Sequence, residues 1–239
     1  MICFLTSNPF LDEGEGLNPA NGFVDALTEA LPGRPLRGLF VASSPDEPKT
    51  NEFYAAEQKE AFENAGIAFQ SFAILDRRTA ASAPALVKVA DLIILTGGHV
   101  PTQNRFFHDI GLKSLLAGFD GTLIGISAGT MNAAETVYAQ PELEGEAVDP
   151  DYRRFLPGLG LTKAMIVPHF DGNLFAELDG LRVYSDITFP DSAGRRFCLL
   201  PDGGYLFVKG NVQELRGEAW LVGDGALRLI CRSGGRLRL

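Results

Sequence analysis

The five residues Gly125-Ile126-Ser127-Ala128-Gly129 carry the strongest chemical signal in the chain. They follow the apolar run Thr122-Leu-Ile-Gly-Ile126 and precede a small-residue helix start, which is the strand–turn–helix context that a G-x-S-x-G nucleophile elbow requires. Small neighbours matter because the backbone at such a turn passes very close to other segments, where side chains would clash. Ser127 is then pushed out at the carboxyl edge of a sheet, above a helix N-terminus whose dipole and free N–H groups favour developing negative charge. A serine N-cap in a glycine-rich turn is the simpler reading, and the preceding strand weighs against it.

A serine hydroxyl is a weak nucleophile and needs a base, and the chain has three histidines. His169 closes the run Ala164-Met-Ile-Val-Pro-His169, at the end of a strand, where open α/β sheets assemble their sites. That position favours a general base over a histidine of the core. His108 falls in a helical segment and reads as a surface residue. His99, in Thr96-Gly97-Gly98-His99, follows another strand end and could line the same crevice and contact substrate. The Gly97-Gly98 pair lets the backbone turn an N–H inward, and with the N–H of Ala128 it would make an oxyanion hole at Gly98 and Ala128. An acid must also orient the imidazole, and the spacing leaves Asp149, Asp171 and Glu177 open. So few histidines, with no Cys/His pairing, leave no expected metal site. There is no P-loop or G-x-G-x-x-G, and Gly14-Glu15-Gly16 lacks the third glycine, so no cofactor is expected.

These residues must be held by a scaffold, and short apolar runs alternate with helix-period segments through the first two-thirds of the chain. Strands are expected at Ile2–Thr6, Gly38–Ser43, Ala68–Leu75, Asp91–Thr96, Thr122–Ser127 and Lys163–Pro168, and helices at Gly22–Leu31, Asn51–Ala65, Ala83–Ala90, Thr102–Ala117 and Ala128–Glu135. The fold class is α/β, a mainly parallel sheet flanked by helices on both faces. After about Arg195 the strand-like pieces Phe197–Leu200, Tyr205–Lys209, Gln213–Val222 and Ala226–Arg232 are divided by hairpin turn signals, which predicts a C-terminal antiparallel extension over 195–239. Gln140–Gly160 is the one long irregular stretch, and such loops in compact domains are usually functional or mobile.

With 239 residues, 46% hydrophobic and 21% charged, the chain can bury a core, and its length favours one domain spanning 1–239 over two small ones. A formal charge of −9 argues against nucleic acid and anionic membrane as partners, both of which need clustered positive charge. Cys3, Cys198 and Cys231 stand far apart in apolar runs and read as buried hydrophobes in a reducing compartment. No apolar run approaches the ~18 residues of a membrane span, and no basic segment precedes the first apolar stretch, so a cytoplasmic protein is expected.

The constellation resembles the peptidase E group of serine peptidases, the α-aspartyl dipeptidases, with cyanophycinases as more distant relatives. The matching pieces are Leu95-Thr96-Gly97-Gly98, Gly125-Ile-Ser-Ala-Gly129, Val148-Asp149-Pro150, Pro168-His169-Phe170 and Pro201-Asp202-Gly203-Gly204-Tyr205, in order over most of the chain. The resemblance implies a class I glutamine amidotransferase-like fold with Ser127 as nucleophile, His169 as base, Asp149 as orienting acid, and the Gly98 and Ala128 amides as oxyanion hole. The 42 residues from Ser127 to His169 favour this fold over the α/β-hydrolases, which spread their triads over further strands. The chain departs from the family in His99-Val100-Pro101, where the family often has asparagine and threonine, and in the acidic insert Glu142-Leu-Glu-Gly-Glu146. Like-charge repulsion from that insert disfavours an acidic substrate.

The expected activity is hydrolysis of a short peptide's amide bond through an acyl-enzyme. Two rivals use the same residues: a non-catalytic ligand-binding protein on this fold, which His99 and the insert would favour, and an esterase. A glutamine amidotransferase would need a thiol at position 127. Arg105, Arg153, Arg154 and Arg182 read as ordinary surface charges.

Overall fold

The computed structural model describes residues 1–11 and 16–239. Of the Gly14-Glu15-Gly16 motif, the first two residues lie outside the described residues. Strands β1 (Ile2–Thr6), β2 (Leu36–Val41), β3 (Phe69–Leu75), β4 (Leu92–Leu95) and β5 (Thr122–Ile126) alternate with helices α1 (Phe23–Ala30), α2 (Pro48–Asn64), α3 (Ala83–Val89), α4 (Val100–Asp109), α5 (Leu112–Leu116) and α6 (Ala128–Asn132). The five strands pair in parallel in the order β1-β5-β4-β2-β3. Their residues are apolar at nearly every position because both faces are covered. Ile93 and Leu95 of β4 join one core cluster with Cys3, Leu5 and Phe106, while Leu92 and Ile94 join the opposite one with Phe4, Phe23 and Phe62. This is the period-two alternation of a strand between two helical layers.

The segment expected as one helix over Thr102–Ala117 is two, α4 and α5, because Gly111 sits at φ +63° between them and breaks the hydrogen-bond ladder. Short strands β6 (Thr136–Tyr138), β7 (Phe155–Pro157), β8 (Met165–Val167), β9 (Glu177–Leu178) and β10 (Leu181–Arg182) follow. β7 lies inside the stretch expected to be irregular and pairs antiparallel with β6, so the loop 140–154 is a long excursion from a two-stranded stem.

The C-terminal antiparallel extension contributes to two sheets. Beginning with β11 (Arg196–Leu199), it comprises β12 (Tyr205–Lys209), β13 (Val212–Arg216), β14 (Ala219–Gly223), β15 (Ala226–Cys231) and β16 (Arg236–Arg238). β12, β13 and β16 continue the main sheet beyond β1, giving the order β16-β13-β12-β1-β5-β4-β2-β3. β11, β14 and β15 form a second sheet with β8, in the order β15-β14-β11-β8. Gln213–Val222, expected as one strand, is split by Gly217 at φ +99°, and that break lets β13 stay in the main sheet while β14 crosses to the other. Within the second sheet β8 and β11 run parallel, Val167 opposite Leu199, so the loops leaving their carboxyl ends emerge side by side.

All three cysteines are buried and free, and burial pushes the Cys3 thiol up to about 12. They behave as small apolar side chains. No helix is long and apolar enough to cross a membrane among the described residues.

Candidate active site

Ser127 is the turn between β5 and α6, with φ 49° and ψ −111°, a backbone conformation that L-residues other than glycine rarely adopt. The surrounding structure imposes it. The Ser127 amide donates to the carbonyls of Thr6 and Ser7 (3.2 and 3.0 Å), and the Thr130 hydroxyl donates to the Thr6 carbonyl at 2.7 Å. Both flanking glycines are demanded by close approach. A β-carbon on Gly125 would stand 2.9 Å from Thr130 Oγ1, and one on Gly129 would run into the Leu95 carbonyl.

His169 follows β8 and meets the serine across the crevice, with Nε2 2.9 Å from Ser127 Oγ. Its other ring nitrogen, Nδ1, lies 2.8 Å from Oδ1 of Asp202, in the loop leaving β11. The parallel β8–β11 pairing explains this meeting, since both loops leave neighbouring strand ends in the same direction, and Phe170 N donates to Leu200 O to hold them together. Ser7, buried at the end of β1, ties the corner: its hydroxyl accepts from the His169 amide (2.7 Å) and donates to Asp202 Oδ1 (2.7 Å). Partial burial pushes the Asp202 carboxyl upward, but hydrogen bonds from His169 and Ser7 outweigh it and hold the group below the usual carboxylate range. An ionised Asp202 accepts the Nδ1 proton, which leaves the Nε2 lone pair facing the serine hydroxyl, the tautomer a general base needs. The His169 and Asp202 side chains are each 49% exposed, so the imidazole lies open to water and to an extended substrate.

The expectation of Asp149 beside the imidazole is corrected here. Asp149 is exposed in the loop 140–154, where its Oδ1 accepts the Asp151 amide at 2.9 Å, a local turn that uses the carboxylate within its own loop. Asp171 likewise accepts the Asn173 amide, and Glu177 lies in β9, paired with β10. None of the three is a hydrogen-bond partner of His169 among the described residues. Asp202 and Ser7 are the residues missed. Asp202 stands in a Pro-Asp-Gly-Gly segment that reads first as a hairpin turn, and the signal for Ser7 was its place directly after a strand.

The glycine pair lies beside Ser127. Gly97 abuts the nucleophile, a β-carbon there falling 3.3 Å from Ser127 Cβ, and Gly98 has φ +144°, where a side chain would collide with Ser43. Neither the Gly98 nor the Ala128 amide donates a hydrogen bond within the protein among the described residues. His99 turns away: its ring bonds Thr102 Oγ1 and Glu146 Oε1, both at 2.7 Å, and it is not among the residues lining the cavity beside Ser127. Burial pushes the Glu146 carboxyl upward, but the Glu142 and Leu143 amides and His99 overcome it and bring it below its ordinary value. Glu142, which burial pushes upward more than His99 and the Val100 amide pull it back, lies above. The acidic insert is thus used to fasten the loop 140–154 to α4.

A cavity of about 510 Å³ opens beside Ser127 and His169 and runs under α2, the size of ordinary small-ligand pockets. None of the four arginines considered above lines it: Arg154 pairs with Asp191 and Arg182 sits over Phe175.

Two solved structures share the architecture. A peptidase from an acI-B1 Actinobacterium superposes with a TM-score of 0.64 at 16% identity, covering 100% of this chain and 96% of that one. A protein assigned as peptidase E from Listeria monocytogenes EGD-e superposes with a TM-score of 0.57 at 18% identity, covering 96% and 98%. No curated protein sequence matches the chain. At these identities the likeness is one of fold, and the family is established by sequence: the profile of peptidase family S51 matches residues 20–215, so the chain belongs to that family and is a serine-type peptidase of the peptidase E kind.

Proposed function

We propose that the protein hydrolyses the amide bond of short peptides with Ser127 as nucleophile, His169 as general base and Asp202 as the group that orients the imidazole and stabilises the imidazolium. One observation carries this reading: Ser127 Oγ, the His169 ring and Asp202 Oδ1 form a continuous chain of hydrogen bonds of 2.9 and 2.8 Å. As Ser127 Oγ attacks the scissile carbonyl, Nε2 takes its proton and returns it to the departing amine. The carbonyl oxygen acquires negative charge over the N-terminus of α6, where the Gly98 and Ala128 amides stabilise it. Water activated by the same imidazole then releases the acyl group.

The half-open crevice and the loop 140–154 beside it suit a short, unfolded substrate better than a folded protein. Free, buried cysteines fit a reducing cytoplasm. A fluorophosphonate should label the purified protein at Ser127, and Ser127→Ala should lose labelling and roughly a thousandfold or more of peptide hydrolysis while keeping its thermal transition. An unlabelled Ser127, or an unchanged rate in the variant, refutes the nucleophile.

A further inference from the structure

The cavity next to Ser127 is roofed by one face of α2, on which Thr50, Asn51, Tyr54, Glu57, Gln58 and Ala61 recur at helical spacing. The helix turns Ala55, Ala61 and Phe62 toward the core, and this largely polar stripe runs beside that face along the crevice. Asn51 is committed to the fold, donating to the Ser44 carbonyl and to Asp76. Glu57 and Gln58 are not. Of the four glutamates of the helix, Glu52 pairs with Arg78 and Glu63 with Lys59, Glu57 and Glu60 have no cationic partner among the described residues, and Glu57 is the one that lines the cavity. The side-chain oxygen of Gln58 is buried with no donor to meet it. That oxygen is closed to the cavity, which leaves Glu57 as the charged acceptor open to an incoming N–H.

The rest of the lining is neutral. Phe40 and Ile126 offer apolar surface near the serine, Tyr54 offers a ring face, and no lysine or arginine is present. The cavity therefore holds one carboxylate, Glu57, among neutral hydroxyl and amide groups, and no lysine or arginine to balance an anion. We propose that it is a subsite for the ammonium group of the substrate, carried by a basic side chain or by the free amino terminus. The stem packs on Phe40 and Ile126 and the cation meets Glu57, with Tyr54 contributing through its π-face. A substrate carboxylate in the same place meets a like charge and no lysine or arginine, which disfavours aspartyl substrates. This specificity rests on the peptidase reading above, and the test separates the two.

Binding is measured first on Ser127→Ala, which needs no catalysis, with four probes: N-acetyl-lysine amide, N-acetyl-norleucine amide, N-acetyl-glutamate amide and free norleucine amide. The two cations should bind at least about tenfold tighter than neutral N-acetyl-norleucine amide, and the glutamate probe should bind weakest. A stronger lysine probe identifies the side chain as the source of the cation, and a stronger norleucine amide identifies the amino terminus. Adding Glu57→Gln should erase the preference for the cations while leaving the neutral probe unchanged. Turnover of the matching p-nitroanilides by the protein with Ser127 intact should follow the same order. Equal binding of all four probes, no measurable binding of any, or a preference that survives Glu57→Gln overturns the subsite even if the anilides are hydrolysed. Discrimination in binding without turnover overturns the peptidase proposal and leaves the subsite standing.

Discussion

The two ends of the parallel strands are built from different kinds of polar contact. At the amino ends, Asp91, just before β4, accepts from both Arg34 and Arg37 at 2.9–3.1 Å and also from the Arg37 amide, binding the start of β4 to β2. Its side chain is 10% exposed, and hydrogen bonds from Arg37 and Arg34, working against burial, hold its carboxyl well below the usual range. At the carboxyl ends, the residues between β5 and α6 and after β8 hold Ser127 and His169 at positive φ, and the half-exposed His169 and Asp202 side chains are joined end to end with Ser127. The first network is relaxed and satisfied. The second holds residues in strained backbone and leaves donors and acceptors facing a cavity, which is how a fold presents reactive groups at some expense of its own stability. Substitutions at the two ends should therefore separate activity from stability.

The largest separation is expected at Asp202. Asp202→Asn should cut kcat by roughly a thousandfold to ten-thousandfold through the wrong imidazole tautomer, with the fold retained. Asp149→Asn should leave kcat and its pH profile unchanged, and the reverse result would return the orienting role to Asp149. Next in size is Gly98→Ala, in which φ +144° and the collision with Ser43 displace the amide. A kcat loss of roughly a hundredfold to a thousandfold with a smaller change in KM is expected if this N–H holds the oxyanion.

At the opposite end, Asp91→Asn should leave kcat intact and lower stability by about 1–2 kcal/mol, discounted because both arginines are largely exposed, which is a Tm fall of roughly 3–6 °C. The sign with pH follows from the lowered folded value of Asp91. Its contribution is present above the unfolded carboxylate value near ~3.9 and is lost as pH falls below it, so the gap between the protein and Asp91→Asn should close in acid. Thermal melts between neutral pH and pH ~3 read it directly, and a gap that widens in acid would contradict the assignment.

Much of the parallel half was legible before folding was considered. The apolar runs of β1, β4 and β5 are bounded within a residue or two of where they form, because strands covered on both faces must be continuously apolar. Ser127 was legible because the elbow is local: strand, strained turn and helix start occupy adjacent positions, and Gly125 and Gly129 are demanded by neighbours a few ångströms away. Asp202 was not. It lies 33 residues beyond His169, and only the parallel registration of β8 with β11, strands joined by no short connection, brings the two loops together. The family resemblance pointed instead to Asp149, which its own loop uses.

The chain alone determined its class, the serine elbow at 127 and the histidine at the end of an apolar strand, all properties of contiguous residues whose periodicity and steric needs are written locally. Tertiary structure decided the third member of the hydrogen-bonded chain, the turning of His99 away from the cavity, the division of the C-terminal strands between two sheets and the polar face of α2 over the crevice. Each of those depends on which strand ends lie side by side. That is set by long-range packing, in which the gain of burying a surface does not depend on how far apart its residues lie along the chain.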